Sequence, residues 1–140
     1  MPAKPKKTVD WTKRFNNPKP PRTVVLEKSF CGIKAGSRMY ISSPKDIASY
    51  VADIPDGETR AIERMRDELA EKNGAVATCP VTTSIFLRIV SELSLEEMNS
   101  GKSKTDVVPF WRVVEPGSKI AGRLPCDDII IKDFRSMESA

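Results

Sequence analysis

The sequence predicts an α+β domain of the winged helix-turn-helix class, in which three helices are followed by a small β wing. Three consecutive stretches between residues 43 and 99 have the apolar spacing and the end signals of helices, and β-prone runs lie on both sides of them. The first 22 residues differ from the rest, because they are basic and rich in proline. A chain of 140 residues is long enough for one core. We therefore predict a flexible basic arm over residues 1–22 and one domain over residues 23–140.

The arm holds seven basic residues and one acidic residue, Asp10, so its net charge is +6 while that of the remainder is −2. It also contains five of the 11 prolines, which oppose helix and sheet. Basic arms attract polyanions, and every phosphate that they neutralise makes binding more sensitive to salt. We interpret this segment as a mobile arm with Trp11 and Phe15 as candidate docking points, and it is either a nucleic-acid-binding segment or a solubilising tail.

The first two predicted helices are short and amphipathic. Ser43 is suited to cap the first helix, Pro44 to occupy its first position and Asp46 to complete a capping box. The second helix is expected from Ile62 to Asn73, and Gly74 follows it as the usual C-terminal residue.

The third predicted helix begins near Pro80 and has a wide apolar stripe, formed by Ile85, Phe86, Ile89, Val90 and Leu93. Its first turns carry small hydroxyl side chains that we expect to face outward, with Arg88 one turn later. Such a helix end is suited to contact phosphates and base edges, although hydroxyl side chains there are also ordinary capping residues. The candidate DNA contacts on this helix are Thr82, Thr83, Ser84 and Arg88.

Strands are predicted before and after the helices. Residues 23–27 and 38–41 flank a glycine-bearing turn and predict a hairpin. Residues 107–115, with the sequence VVPFWRVVE, predict a strand pair or a strand-loop-strand unit, and residues 116–125 predict a turn-rich hairpin; together they would form the wing. The three isoleucines at 129–131 favour a strand by propensity.

The residue inventory excludes several classes of function. The chain has no histidine, so Ser-His and Cys-His catalysis and the usual zinc spacings are excluded, and we expect no metal or other cofactor. Cys31, Cys79 and Cys126 are far apart and suggest reduced thiols. Cys79 precedes a predicted helix, where the dipole lowers the pKa of a thiol, so it is either reactive or a buried structural residue. No secretory signal or membrane-length apolar run is present, which predicts a cytoplasmic monomer without a membrane partner.

The order of motifs over residues 44–123 resembles the C-terminal domain of the alkylguanine-DNA alkyltransferase family. In that family an Ile-Pro-x-Gly turn leads into a helix-turn-helix, and a reactive Pro-Cys-His-Arg-Val loop precedes a glycine-rich wing. The matching residues here are Ile54, Pro55, Gly57, Pro109, Arg112, Val113, Val114, Gly117 and Gly122. The resemblance implies DNA binding, and it would place a helix rather than a strand near residues 129–131.

The departures from the family pattern imply that the family's chemistry is lost. Phe110 stands where the family has its nucleophilic cysteine, and Trp111 stands where it has the activating histidine. The family's phosphate-crowding tyrosine falls on Ile62, and the arginine that opens the base stack falls near Thr82 or Thr83. A thiolate mechanism needs a low-pKa sulfur and a base, and neither aromatic residue can supply them. The resemblance is therefore to the alkyltransferase-like proteins, which bind DNA without repairing it.

Three functions follow as hypotheses. The first is a non-catalytic DNA-binding protein that contacts DNA through the third helix, Arg112, Lys119 and the arm, with an unidentified repair protein as partner. In this hypothesis Phe110 and Trp111 either fill a vanished active site or stack on a modified base, with a preference for stacking at Trp111 and packing at Phe110. The second is a cysteine-dependent alkyltransferase or other enzyme that uses Cys79 or Cys126. The third is a winged-helix module that binds another protein.

Overall fold

The computed structural model describes residues 9–16 and 19–139, and its described part combines six α-helices with one three-stranded sheet. The α+β class predicted from the sequence is confirmed. The helices are α1 (Trp11–Phe15), α2 (Pro44–Ala52), α3 (Ile62–Lys72), α4 (Pro80–Asn99), α5 (Lys119–Arg123) and α6 (Asp128–Ser139). The strands are β1 (Arg22–Val25), β2 (Arg38–Ile41) and β3 (Ala77–Thr78), and short 3-10 helices span Lys104–Asp106 and Phe110–Arg112. None of the helices in the described ranges has the length and apolar character needed to cross a membrane.

The ends of α2 and α3 follow the local signals in the sequence. Ser43 Oγ accepts a hydrogen bond from the Asp46 amide, and Pro44 occupies the first turn of α2. At the end of α3, Gly74 has a φ of 66°, and the amide of Ala75 donates to the carbonyl of Ala70. This is a Schellman arrangement, in which the left-handed conformation of Gly74 satisfies carbonyls that the helix leaves unpaired.

The sheet has the strand order β1-β2-β3. Strands β1 and β2 form the predicted hairpin, with Arg22 opposite Ile41 and Val25 opposite Arg38. Strand β3 is only two residues long and runs parallel to β2, which ties the segment before α4 to the hairpin. The sequence predicted a linker there, because a two-residue strand has too few residues to show an alternating pattern.

Helix α4 lies at the centre of the fold and packs against α1, α2, α5 and the 3-10 helix at 110–112. Leu87 and Val90 are fully buried on it, and three of its hydroxyl side chains, Thr83, Ser91 and Ser94, are buried as well. Thr83 and Ser91 donate to the carbonyls of Cys79 and Leu87, four residues earlier, each at 2.7 Å. These bonds satisfy the hydroxyl groups of Thr83 and Ser91 inside the core.

The strands predicted over residues 107–125 are wrong. Residues 110–112 form a 3-10 helix, and residues 119–123 form α5. The reason is that neighbouring residues are buried in pairs: Phe110 with Trp111, and Val113 with Val114. A half-buried strand sends consecutive side chains to opposite faces, so it cannot bury such pairs on one side. The only sheet in the described ranges lies before α4 rather than after it.

Helix α6 covers the 3-10 helix at 110–112. Ile131 is fully buried, and Arg135 donates to the carbonyl of Trp111 at 2.6 Å. The backbone of Glu138 passes close to Gly57, where an added Cβ would lie 3.1 Å from the Glu138 oxygen. The helix implied by the family resemblance is confirmed, and the strand suggested by propensity is wrong. The helix buries Ile131 in the core and leaves Ile129 and Ile130 exposed.

Only part of the flexible arm predicted over residues 1–22 can be compared with the structure, because residues 1–8 and 17–18 lie outside the described residues. Within it, Trp11–Phe15 form α1, Phe15 packs against the core, and Arg22 begins β1. The prediction of an unstructured arm is therefore wrong for these residues. Trp11 and Phe15, the candidate docking points, both belong to α1, which lies against α4.

Candidate nucleic-acid interface

A groove of about 390 Å³ lies where α1, α4 and α5 meet. Its inner surface is largely apolar, and four cationic side chains surround it. No aspartate or glutamate belongs to its lining within the described ranges. The residues that line it are Trp11 and Arg14 from α1, Ser84, Ile85, Arg88 and Ile89 from α4, and Lys119, Ile120 and Arg123 from α5.

Trp11 organises the cations on one side of the groove. The guanidinium carbons of Arg14 and Arg88 each lie 5.4 Å from the centre of its ring. A tryptophan ring attracts cations through its negative face, so it can hold two positively charged groups near each other. Because Arg88 belongs to α4, the contact also joins the two helices.

Local capping explains how α1 and α5 form at the groove. The Asp10 side chain accepts a hydrogen bond from the Lys13 amide at 2.9 Å, and Ser118 Oγ accepts from the Ala121 amide at 3.2 Å. Each residue is the N-cap of a five-residue helix. Such short helices depend on tertiary packing for their stability, and both pack against α4.

Arg88 is loosely paired at the edge of the groove. Its Nη2 atom lies 3.8 Å from Glu92 Oε2, at the outer limit of an ion pair. Glu92 is almost completely buried, and burial raises the pKa of its carboxyl while the Arg88 charge acts in the opposite direction. The long separation leaves the Arg88 guanidinium able to attract a second anion from the groove.

The three predicted hydroxyl residues of α4 do not share one environment. Thr82 and Ser84 are half-buried, and Ser84 lines the groove. Thr83 is fully buried and donates to the Cys79 carbonyl, so the prediction that it faces outward is wrong. The opposite error occurs at Ile85, which was assigned to the buried stripe but is 50% exposed and lines the groove. Both errors have one cause, since α4 is packed on several sides and its apolar pattern does not identify a single face.

Arg112, predicted as a DNA contact, is held inside an ion-pair network instead. Its side chain is 13% exposed and bonds Glu138, with Nη2 to Oε1 at 2.7 Å. It also donates to the Ile54 carbonyl at 2.6 Å and to Asp56 at 2.8 Å. Hydrogen bonding to Glu138 raises its pKa above the ordinary arginine value. With its donors engaged by protein groups, Arg112 has a structural role in this conformation.

Phe110 and Trp111 are core residues, with exposures of 0% and 1%. Their ring centres are 5.4 Å apart in an edge-to-face contact, and Phe134 of α6 lies 4.7 Å from Trp111. The expected packing of Phe110 is confirmed. The preference for base stacking at Trp111 is wrong for this conformation, because α6 and the core cover the ring.

The environments of Cys79 and Cys126 do not favour nucleophilic catalysis. Cys79 is 4% exposed and precedes α4 without a side-chain cap bond. Cys126 is half-buried, and burial, together with the charges of Asp127 and Asp128, raises the pKa of its thiol. No group of three or more potential metal ligands occurs in the part of the chain that is described. A buried thiol or one with a raised pKa is a poor nucleophile.

Of the residues predicted to bind DNA, the structure brings Ser84, Arg88 and Lys119 together at the groove. Arg14 was included only as one of the basic residues of the arm, and Trp11 only as a docking point, while Ile120 and Arg123 were missed. The sequence did contain an N-cap residue for each short helix, namely Asp10 before α1 and Ser118 before α5. Nothing in the spacing of these three segments along the sequence showed that they would meet around one groove.

Comparisons with protein-family models, curated proteins and solved structures found no match to this chain.

Proposed function

We propose that the protein binds DNA through the groove formed by α1, α4 and α5 and catalyses no reaction itself. The observation that carries this proposal is the lining of the groove, where four cations surround apolar side chains without an acidic residue among the described lining residues. Arg14, Lys119 and Arg123 are exposed and can reach phosphates. Phosphate contacts from lysine and arginine supply most of the affinity in sequence-independent DNA binding.

The proposal includes a winged-helix-like arrangement in which α4 is the DNA-facing helix. It is supported by the succession of α2, α3 and α4 and by the position of the groove along the N-terminal half of α4. The β1-β2-β3 sheet would take the place of the wing in this arrangement.

The relationship to alkyltransferase-like proteins is also a proposal. Two stretches that carry the resemblance, residues 54–57 and 109–114, are in contact, because Arg112 bonds both Ile54 and Asp56. A repair protein as partner belongs to the same proposal. The burial of Cys79 argues against the alternative of a cysteine-dependent enzyme.

A salt titration tests DNA binding. The affinity for a labelled duplex is measured at several salt concentrations, and the slope of log affinity against log salt gives the number of phosphates neutralised. We expect Lys119→Gln to reduce this slope by about one, and Lys119→Gln with Arg123→Gln by about two. Lys72→Gln is the control, because Lys72 is exposed at the end of α3 and lies outside the groove. Equal slopes for all variants would contradict the proposed site, and no measurable binding would contradict the function.

A further inference from the structure

We infer that the groove accepts an unpaired nucleotide, with the base on its apolar surface and the phosphates on its cations. The inference rests on the proposed function and makes it more specific, since it predicts a preference for single-stranded or locally unpaired nucleic acid over an intact duplex.

The shape of the site is the first argument. The groove is concave, and the apolar side chains of Ile85, Ile89 and Ile120 form part of its surface. Bases in an intact duplex are stacked on each other and paired, so they cannot enter a cavity of this kind. An unpaired base can enter it, and proteins that bind single strands combine a positively charged groove with surfaces on which bases stack.

The aromatic wall is the second argument. Trp11 is half-buried and lines the groove, and two arginines lie against its ring. Guanidinium groups are planar and stack on aromatic rings while also binding phosphate. The lining therefore offers an entering base flat groups of two kinds, namely the Trp11 indole and the two guanidiniums that lie over it. A purely electrostatic phosphate site would need only the charges.

The third argument is an unusual pair of exposed apolar residues on α4. Val81 and Ile85 are 48% and 50% exposed and lie one turn apart, but only Ile85 lines the groove. Ile85 is placed to contact a base, and Val81 is not. The two residues are both β-branched and equally exposed, so the same substitution at each provides a matched comparison.

The experiment uses the full chain and three probes of equal length, about twelve nucleotides, which is within the site sizes of single-strand-binding proteins. The probes are a single-stranded oligodeoxynucleotide, an abasic phosphodiester chain and an intact duplex, compared by fluorescence anisotropy at one salt concentration. We expect the oligodeoxynucleotide to bind about fivefold or more tightly than either of the other two. Equal binding of the oligonucleotide and the abasic chain would overturn the inference and leave the proposed function intact. No binding of any probe would overturn both.

Two variants locate the base. Ile85→Ala should weaken binding of the oligonucleotide by about threefold or more and leave the abasic chain unaffected, whereas Val81→Ala should change neither. Equal effects of the two variants on the oligonucleotide would contradict the assignment of the groove.

Tryptophan fluorescence gives a separate readout. Trp111 is buried and contributes a constant signal, so quenching by the oligonucleotide should come from Trp11 and should be absent with the abasic chain. Trp11→Leu should abolish the quenching, and Trp11→Phe should restore most of the affinity lost in Trp11→Leu. Phosphatidylserine vesicles and poly-glutamate serve as competitors, and displacement of the oligonucleotide by either at a lower concentration of negative charge would overturn the choice of ligand.

Discussion

The ion pair between Arg112 and Glu138 should account for much of the attachment of α6. Nε of Arg112 lies 3.0 Å from Oε2 of Glu138, and Nη2 lies 2.7 Å from Oε1, so the contact is bidentate. The two side chains are 13% and 6% exposed. Replacing Glu138 by Gln preserves the size of the side chain but removes its charge, which leaves the poorly solvated guanidinium with only the exposed Asp56 as a charged partner.

Removing one partner of a buried ion pair costs about 3–5 kcal/mol. The pair here is not completely buried, and the glutamine amide can still accept a hydrogen bond, so we expect Glu138→Gln to reduce the free energy of unfolding by about 2–3 kcal/mol. Glu97→Gln is the control, since Glu97 pairs with Lys102 at 3.2 Å on the surface and both side chains are more exposed. An exposed pair contributes only about 0–1 kcal/mol.

The same pair predicts a pH dependence. Burial acts to raise the pKa of Glu138, but hydrogen bonds from Arg112 and the Arg112 charge outweigh it, so the pKa lies below the usual 4.5. A folded-state pKa below that of the unfolded chain means that the stabilisation is complete above the unfolded value. It is lost as the pH falls through the folded value. The difference in stability between the parent and Glu138→Gln should therefore shrink on acidification.

Urea unfolding of the parent, Glu138→Gln and Glu97→Gln at neutral and acidic pH measures both effects. An equal loss of stability in the two variants, or a Glu138→Gln difference that does not change with pH, would refute this account of the ion pair.

Four further results are expected. Arg112→Gln should lower the melting temperature but leave the affinity for the single-stranded probe unchanged, and a tenfold loss of affinity in the folded variant would restore Arg112 as a nucleic-acid contact. Trp111→Ala should reduce the free energy of unfolding by about 3–5 kcal/mol, because it leaves a cavity between Phe110 and α6, and chemical denaturation measures it. A thiol reagent should label the exposed Cys31 first and Cys79 only on unfolding, which mass spectrometry measures. Incubation with alkylated DNA should leave the mass of the protein unchanged, and an adduct on Cys79 would favour the enzyme hypothesis.

The parts of the fold predicted correctly are those fixed by neighbouring residues. The capped start of α2 at Ser43 and the end of α3 at Gly74 each depend on a few side chains and backbone angles. Residues 107–125 were predicted wrongly because their β-branched and aromatic composition favours strands, whereas tertiary burial of Phe110 and Trp111 decides their conformation. The sequence contained capping residues for the short helices α1 and α5, namely Asp10 and Ser118. A single capping residue does not stabilise a five-residue helix by itself, and both helices depend on packing against α4.

The candidate site was harder to predict than the fold. Its α4 and Lys119 residues could be proposed from residue type, because hydroxyl groups and cations at a helix end suggest phosphate contacts. The role of α1 could not be predicted in this way, because it depends on a contact between Trp11 and Arg88, which are 77 positions apart in the sequence. Arg112 is the opposite case. It was predicted as a DNA contact because it matches the family motif, but in the structure its side chain pairs with Glu138.

The cover that α6 provides for Trp111 has a consequence for the order of events during synthesis. Arg112 and Glu138 are 26 positions apart in the sequence. At about 5–20 residues per second, the ribosome adds Glu138, the second member of the ion pair, about 1–5 s after Arg112. The ribosomal exit tunnel covers a stretch of this length, so Phe110 and Trp111 are still inside it when Glu138 is added, and they emerge shortly before α6. Closure of the core around Trp111 is therefore a late folding event, which follows the synthesis of α6.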